Sequence, residues 1–160
     1  MVLPAAVKVG QPAFEWCLQH MRPVVANTSE AWVAGEIVTH DATNGRFNKS
    51  SGAKQVGIKC IVAYDKPTTD DLGTVYFAPA IAYSKYVPAA ALKTYVLVQT
   101  SATAGAWEAK TADAAYADMI HTVGFAQYMG KAGQLGGSGF GGNDATDGAQ
   151  NEIMRLRLIF

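Results

Sequence analysis

The stretch that decides the fold runs Val56-Gly57-Ile58-Lys59-Cys60-Ile61-Val62-Ala63-Tyr64. Its apolar residues repeat at every second position, so one side of an extended chain carries Val56, Ile58, Cys60, Val62 and Tyr64. The intervening residues, from Gly57 to Asp65, fall on the other side. Alternation of this kind is typical of a half-buried β-strand. The stretch therefore predicts a strand with one apolar face.

The segments on both sides of this strand carry strand signals too. Residues 36–40 and 46–49 flank the pair Asn44-Gly45, which tolerates a positive φ and predicts a hairpin. Period-two alternation returns at Val75, Phe77, Ile81 and Tyr83, where Pro79 indicates an edge or a bulge. Residues 95–98 form a further short apolar run. Residues 32 to about 99 thus predict a succession of strands.

The C-terminal part combines three kinds of segment. Apolar residues with helical spacing predict a short helix over residues 112–123, although residues 122–126 also read as the beginning of a strand. A glycine-rich loop follows over residues 130–148. The last residues alternate clearly, and one face carries Met154, Leu156, Leu158 and Phe160. Because chain ends normally fray, an apolar strand at the end predicts a terminus that is held in a sheet or an interface.

Residues 1–30 read as an irregular, extended and apolar N-terminal arm. Pro4, Pro12 and Pro23 disfavour a helix, and the large apolar residues among them have no helical spacing. Such an arm needs a surface to lie on, either its own domain or a neighbour. We therefore predict an arm over residues 1–30 and a single β-rich domain over residues 31–160. The expected fold is mainly β, a compact β-barrel or β-sandwich with one short helix and a glycine-rich loop.

Composition narrows the function classes. The 160 residues contain 13 Lys and Arg against 13 Asp and Glu, and the charged share is only 16%. A net charge of zero argues against binding to nucleic acid or to an anionic membrane surface. No apolar run approaches the ~18 residues that span a bilayer, and the first residues do not resemble a secretory signal. A neutral, charge-poor surface favours association, so we expect a subunit of an assembly.

Neither the cysteines nor the motifs predict catalysis. Cys17 and Cys60 lie in apolar surroundings and are expected to be buried free thiols in a reducing compartment. Residues 137–142 match G-x-G-x-x-G, but a loop follows them where a dinucleotide site needs a helix. The three histidines, His20, His40 and His121, lack metal-ligand spacing. We expect no enzymatic activity, no cofactor and no metal site.

Several segments together resemble a known family. The residues that carry the resemblance are Ala34–Val38, the Asn-Gly turn, Lys49–Gly52, Val56–Ile58, Val123–Ala126 and Asn151–Leu158. In this order they are similar to the capsid decoration (cement) proteins of tailed bacteriophages. The resemblance extends over residues 30–65 and 120–160, while the apolar arm and the insert over residues 67–117 depart from the pattern.

The resemblance implies a function and a set of partners. Proteins of this family form trimers on the outer capsid surface of the virion, where they bridge neighbouring major capsid proteins after synthesis in the host cytoplasm. For this chain we accordingly expect a homotrimer that binds a major capsid protein, but neither nucleic acid nor membrane. The expected contact residues at the capsid or oligomer interface are Pro12, Phe14, Trp16, Met21, Gly139, Phe140 and Phe160.

An alternative function remains open from the sequence. A β-sandwich of a phage tail or fibre that binds a carbohydrate or a receptor would need an aromatic platform for sugar stacking. Trp16, Trp32, Trp107 and the seven tyrosines could supply one. The aromatic residues are dispersed along the chain, which also fits burial in a core.

The terminal strand gives the first testable prediction. Deleting Leu158, Ile159 and Phe160 removes inward-facing side chains and part of a strand ladder. Truncating one large buried apolar residue costs roughly 2–5 kcal/mol, so the shortened protein should aggregate or unfold at a markedly lower temperature. Circular dichroism melting and size-exclusion chromatography measure this. A shortened protein that folds and assembles like the full chain would show that the terminus is not buried.

Overall fold

The computed structural model describes residues 10–52, 55–85, 97–110, 122–130 and 153–159. These residues form two antiparallel sheets of five strands each. The first sheet consists of β1 (Met21–Val25), β2 (Ile37–Asp41), β3 (Arg46–Lys49), β4 (Lys59–Val62) and β5 (Leu72–Tyr76). The second consists of β6 (Ile81–Lys85), β7 (Leu97–Thr100), β8 (Trp107–Ala109), β9 (Thr122–Gly130) and β10 (Ile153–Leu158). The expectation of a mainly β protein is confirmed.

In the first sheet the strand order is β1-β5-β4-β2-β3. The predicted hairpin is β2–β3, in which Asp41 pairs with Arg46 across the turn. Gly45 in that turn has a φ of +70°, which is the conformation that its residue type permits. The hairpin prediction is therefore confirmed.

Strand β4 buries both of its faces. Cys60 and Val62 pack into one apolar cluster, and Ile61 and Ala63 pack into another. The alternation is confirmed here, but both faces are buried, so the expectation of a single apolar face is wrong. The strand is also shorter than the alternating stretch. Val56, Ile58 and Tyr64 lie outside it and are exposed. At the start of the stretch the reason is Gly57, whose φ of +117° interrupts the extended chain.

The first sheet curls until its two edge strands approach each other. Ala26, just after β1, forms a parallel bridge with Phe47 of β3. The amide of Asn27 donates to the carbonyl of Phe47 at 3.0 Å. Inside the curl lies an apolar cluster of Val24, Ala26, Trp32, Val38, Phe47, Cys60, Val62 and Val75. A single bridge between β1 and β3 does not make a closed barrel, and none is shown in the described part of the chain.

The outer face of the curled sheet packs against the second sheet. The shared core contains Ile37, Ile61 and Tyr76 from the first sheet and Val98, Trp107, Val123, Leu156 and Leu158 from the second. This arrangement is compatible with a β-sandwich. The order of the second sheet is β6-β10-β9-β7-β8, so β10 has neighbours on both sides. The predicted C-terminal strand is confirmed over Ile153–Leu158, whereas Phe160 lies outside the described residues.

Residues 10–30 differ from the extended arm that the sequence predicts. Residues 10–13 run beside β6, where Gly10 donates to Tyr83 at 2.7 Å and Ala13 donates to Ile81 at 2.8 Å. A 3-10 helix follows at Glu15–His20, and β1 pairs with β5. Pro23 fits in β1 because an edge strand can accommodate a residue without an amide hydrogen. Residues 1–9 of the predicted arm lie outside the described residues.

Strand β9 decides whether residues 122–126 end a helix or begin a strand. Thr122 and Val123 belong to β9, so the strand alternative is confirmed and a helix reaching residue 123 is wrong. Gly124 suits this position because a Cβ there would lie 1.8 Å from the carbonyl oxygen of Arg157 on β10. The rest of the predicted helix, residues 112–121, and the glycine-rich loop from residue 131 onward lie outside the described residues.

A buried hydrogen-bond chain joins the two sheets. The indole Nε1 of Trp107 on β8 donates to the Ser84 hydroxyl on β6 at 2.8 Å. That hydroxyl in turn donates to the carbonyl of Gly35, which precedes β2. Trp107 and Ser84 are both fully buried. The Ser84 hydroxyl thus links Trp107, on the opposite edge strand of the second sheet, to the backbone of the first sheet.

We predict that Ser84→Ala destabilises the fold. The substitution removes a hydroxyl that is both acceptor and donor in a buried site, a change that costs about 1–3 kcal/mol. Urea denaturation at equilibrium measures the free energy of unfolding. Ser51→Ala, at an exposed serine, is the matched control and should change it by less than about 0.5 kcal/mol. Equal effects of the two substitutions would show that the hydrogen bonds of Ser84 contribute nothing to stability.

Candidate functional site

The 3-10 helix presents large apolar side chains to solvent. Phe14, just before the helix, is 44% exposed, and Trp16 and Leu18 within it are 43% and 44% exposed. Between them, Cys17 is fully buried in the core shared by the two sheets. Its Sγ accepts a hydrogen bond from the Ile81 amide at 3.4 Å. Because Cys17 fixes the rotation of this short helix, its neighbours must face outward.

We call Phe14, Trp16 and Leu18 the apolar helix surface. The Phe14 and Trp16 rings are nearly parallel, with centroids 6.4 Å apart and an interplanar angle of 9°. The His20 ring meets Trp16 edge-on, with centroids 5.7 Å apart. The three rings therefore contact one another in a row on the protein surface. Large exposed apolar patches on soluble proteins commonly mark contact sites.

A cavity of about 500 Å³ adjoins this surface. Leu18 and Pro12 line one part of it, and Tyr64 and Tyr76 line another. Tyr64 is exposed although the alternation in the sequence placed it on the apolar strand face. The apolar helix surface thus continues into a concave region beside the end of β4.

The structure separates the residues that the sequence predicts as contacts. Phe14 and Trp16 lie together on the surface, and Pro12 borders the adjoining cavity. Met21 is partly buried and packs against the shared core, so it does not belong to this surface. Leu18 was missed because a single exposed leucine in a proline-rich segment gives no sequence signal. Gly139, Phe140 and Phe160 lie outside the described residues.

Two of the three tryptophans considered for a sugar-stacking platform are buried. Trp32 is 1% exposed inside the curled first sheet, and Trp107 is fully buried between the sheets. Of the three tryptophans only Trp16 reaches solvent. A platform that includes Trp32 or Trp107 is therefore ruled out. The hypothesis also named the tyrosines, of which Tyr86, Tyr95 and Tyr116 lie outside the described residues.

A second candidate region is a polar cleft of about 620 Å³ beside the β2–β3 hairpin. Its lining comes from three parts of the chain, namely residues 27 and 30, the hairpin strands, and the segment before β4. The lining residues are Asn27, Glu30, Thr39, His40, Asp41, Ala42, Asn48, Lys49, Ser51, Gln55, Val56, Gly57 and Ile58. This cleft could not be predicted from the sequence, because it forms only when three separate segments come together and none of them carries a binding motif.

Burial perturbs three titratable groups close to β4. Desolvation lowers the pKa of Lys59 and raises the pKa of the Cys60 thiol well above its ordinary value. Burial, followed by the charges of Tyr64 and Cys17, raises the pKa of Tyr76 to about 12. A buried thiol that stays protonated is a poor nucleophile. Within the described ranges, no group of three or more His, Cys, Asp or Glu residues could hold a metal ion.

The comparisons with known proteins add no family. No protein-family model matches the chain, and no curated protein sequence matches it. In the part of the chain that the structure describes, no helix has the length and apolar character needed to cross a membrane. The fold and its surfaces define a two-sheet β protein with an apolar helix surface and a polar cleft.

The buried thiol of Cys60 predicts a dependence of stability on pH. In the unfolded chain the thiol loses its proton near pH 9, whereas the folded protein retains it. The unfolded state therefore binds fewer protons above pH 9, and the free energy of unfolding falls by up to about 1.4 kcal/mol per pH unit. Urea denaturation measures this free energy at pH 8 and at pH 10.5. Between the two pH values it should decrease less for Cys60→Ala than for the natural chain.

The comparison isolates the thiol because the other groups titrate in both proteins. The raised pKa of Tyr76 also lowers the free energy of unfolding as the pH rises above 10. The lowered pKa of Lys59 has the opposite effect and raises the free energy of unfolding as the pH rises toward 10.5. An equal decrease in the two proteins would contradict the role of Cys60.

Proposed function

We propose that the protein is a structural virion protein that decorates the capsid of a tailed bacteriophage and bridges neighbouring major capsid proteins. The observation that carries the proposal is the apolar helix surface, which the buried Cys17 holds toward solvent. The resemblance of residues 30–65 and 120–160 to decoration proteins and the net charge of zero support it. We further infer that the two sheets form a β-sandwich of the decoration type.

The apolar helix surface has the properties of a protein-binding site. Fully burying a side chain such as Leu or Phe contributes about 1.5–3 kcal/mol, and aromatic residues dominate the binding energy of many interfaces. The stacked rings of Phe14 and Trp16 are already ordered, so little side-chain entropy is lost on binding. Burial of this surface between subunits would therefore be strongly favourable.

The position of this surface suits a protein that resists mechanical load. Residues 10–13 hydrogen-bond to β6 of the second sheet, and β1 pairs with β5 of the first. The 3-10 helix lies between these two attachments. A force applied to the helix would be distributed over both sheets, as bridging of capsid subunits requires.

A bridging subunit also needs contacts with its own copies. Val25 on β1 and Leu72 on β5 are paired directly across the strands, and both are exposed. This cross-strand pair is a second apolar patch, formed by strands rather than by the helix. We assign it to the self-association of a homotrimer and assign the apolar helix surface to the capsid.

The proposal is tested by binding to expanded, undecorated heads of the phage that encodes the chain. Phe14→Ser combined with Trp16→Ser should weaken co-sedimentation at least tenfold and leave the melting temperature of the free protein nearly unchanged, because the side chains are exposed. Val56→Ser combined with Ile58→Ser, at two other exposed apolar residues, is the matched control. Failure of the natural chain to bind heads, or full binding by the folded double variant, would refute the capsid assignment.

The homotrimer is tested separately by light scattering. The natural chain should have three times the monomer mass at micromolar concentration, at both low and high salt, because apolar contacts do not depend on charge screening. Val25→Ser with Leu72→Ser should shift the protein toward the monomer. A monomeric natural chain under both conditions would contradict the proposed assembly.

A further inference from the structure

We propose that the polar cleft beside the β2–β3 hairpin binds a neutral saccharide. This site is distinct from the apolar helix surface, and the proposal does not depend on the capsid assignment. Three features of the cleft carry it: a carboxylate contacted by two asparagine amides, further side-chain amides whose oxygens are already occupied, and an apolar rim.

The carboxylate is that of Asp41, which the side-chain amides of Asn44 and Asn48 contact. The amide Nδ2 of Asn48 points to Oδ2 of Asp41 at 3.5 Å, and the same oxygen accepts a hydrogen bond from Asn44 at 2.7 Å. Because a carboxylate can only accept, the Asn48 amide must turn its nitrogen toward Asp41. Its oxygen is then buried without a hydrogen-bond donor among the described residues. Because this oxygen has almost no accessible surface, a ligand does not reach it, and Asn48 contributes to the cleft through its contact with the Asp41 carboxylate.

In two further side-chain amides of the lining, it is the oxygen that bonds to the protein. Oε1 of Gln55 accepts a hydrogen bond from the Thr39 hydroxyl at 3.3 Å. Oδ1 of Asn27 accepts from both the amide and the hydroxyl of Ser29, at 3.0 Å and 2.8 Å. In each case the oxygen is occupied, so the NH₂ group is the part that the side chain can offer to a ligand. The cleft therefore combines the carboxylates of Glu30 and Asp41 with amide donors.

The charges in the cleft exclude an anionic ligand. Glu30 and Asp41 are carboxylates in the lining. The Lys49 side chain, which could have balanced them, forms an ion pair with Glu36 at 3.1 Å. A phosphate or a uronate would therefore meet net negative charge. Hydroxyl groups both donate and accept, so vicinal hydroxyls on a neutral ligand match the mixture of amides and carboxylates.

The rim of the cleft supplies an apolar surface. Val56 and Ile58 line the cleft, and both are exposed in the segment that precedes β4. The C–H face of a pyranose ring can pack on such side chains while its hydroxyls reach the polar wall. A volume of about 620 Å³ accommodates a mono- or disaccharide.

Saturation-transfer NMR and isothermal titration test the proposal on the full chain. The probes are glucose, galactose, mannose, N-acetylglucosamine and their β-linked disaccharides, with glucuronic acid as the anionic comparison. At least one neutral probe should bind saturably, and glucuronic acid should bind more weakly than glucose. Gln55→Leu should reduce the affinity at least tenfold, and Asn48→Ala should reduce it through the loss of its contact with Asp41. Gln19→Leu, at an exposed residue of the 3-10 helix outside the cleft lining, is the matched control and should not change it.

The outcomes separate this site from the proposed capsid contact. Absence of saturable binding to every neutral probe would overturn the proposal, as would unchanged affinity in a folded Gln55→Leu variant. Melting curves establish that each variant is folded, and Gln55→Leu keeps the test decisive if Asn48→Ala unfolds. Phe14→Ser with Trp16→Ser should retain saccharide binding, and Gln55→Leu should retain binding to heads. Loss of saccharide binding in the Phe14/Trp16 variant would move the site away from the cleft and would also overturn the proposal.

Discussion

The position of one sheet relative to the other depends on the hydroxyl of Ser84. It accepts a hydrogen bond from the Trp107 indole and donates one to the Gly35 carbonyl, and all of this takes place in a fully buried environment. A buried hydroxyl satisfies both partners only if strand β8, strand β6 and the segment before β2 keep their mutual distances. The apolar core around Trp107 provides most of the burial, whereas the hydrogen bonds fix the geometry in which the burial occurs.

Backbone hydrogen bonds reinforce this seam from the side of the first sheet. The amide of Ile37 donates to the carbonyl of Gly105 at 2.8 Å, and the amide of Gly105 donates to the carbonyl of Ser50 at 2.7 Å. On another side, residues 10–13 follow β6 before the chain enters β1. The two sheets are thus connected at more than one place, and the apolar helix surface lies on one of the connections. The same architecture that stabilises the core therefore also sets which side chains face a partner.

Local pattern was enough to predict the hairpin around Asn44-Gly45, the alternation through Cys60 and the terminal strand, because each depends on neighbours in the sequence. The pairing of β1 with β5 depends on residues some fifty positions apart, and nothing in a proline-rich segment reveals it. Cys17 could be predicted to be buried, but its effect on the exposure of Phe14 and Trp16 follows only from the helix that it anchors. The polar cleft was not predictable, because its amides converge only after the chain has folded.

The cover that residues 10–13 place over β6 has a consequence for solubility. An open strand edge is a template on which other chains can add, and many proteins prevent such growth with charged side chains. This chain carries few charges, and their sum is zero. It occupies the β6 edge with its own backbone, and β8 at the opposite edge of that sheet is only three residues long. Among the described residues, the edges of the second sheet are thus protected by backbone pairing and by a short strand rather than by charge.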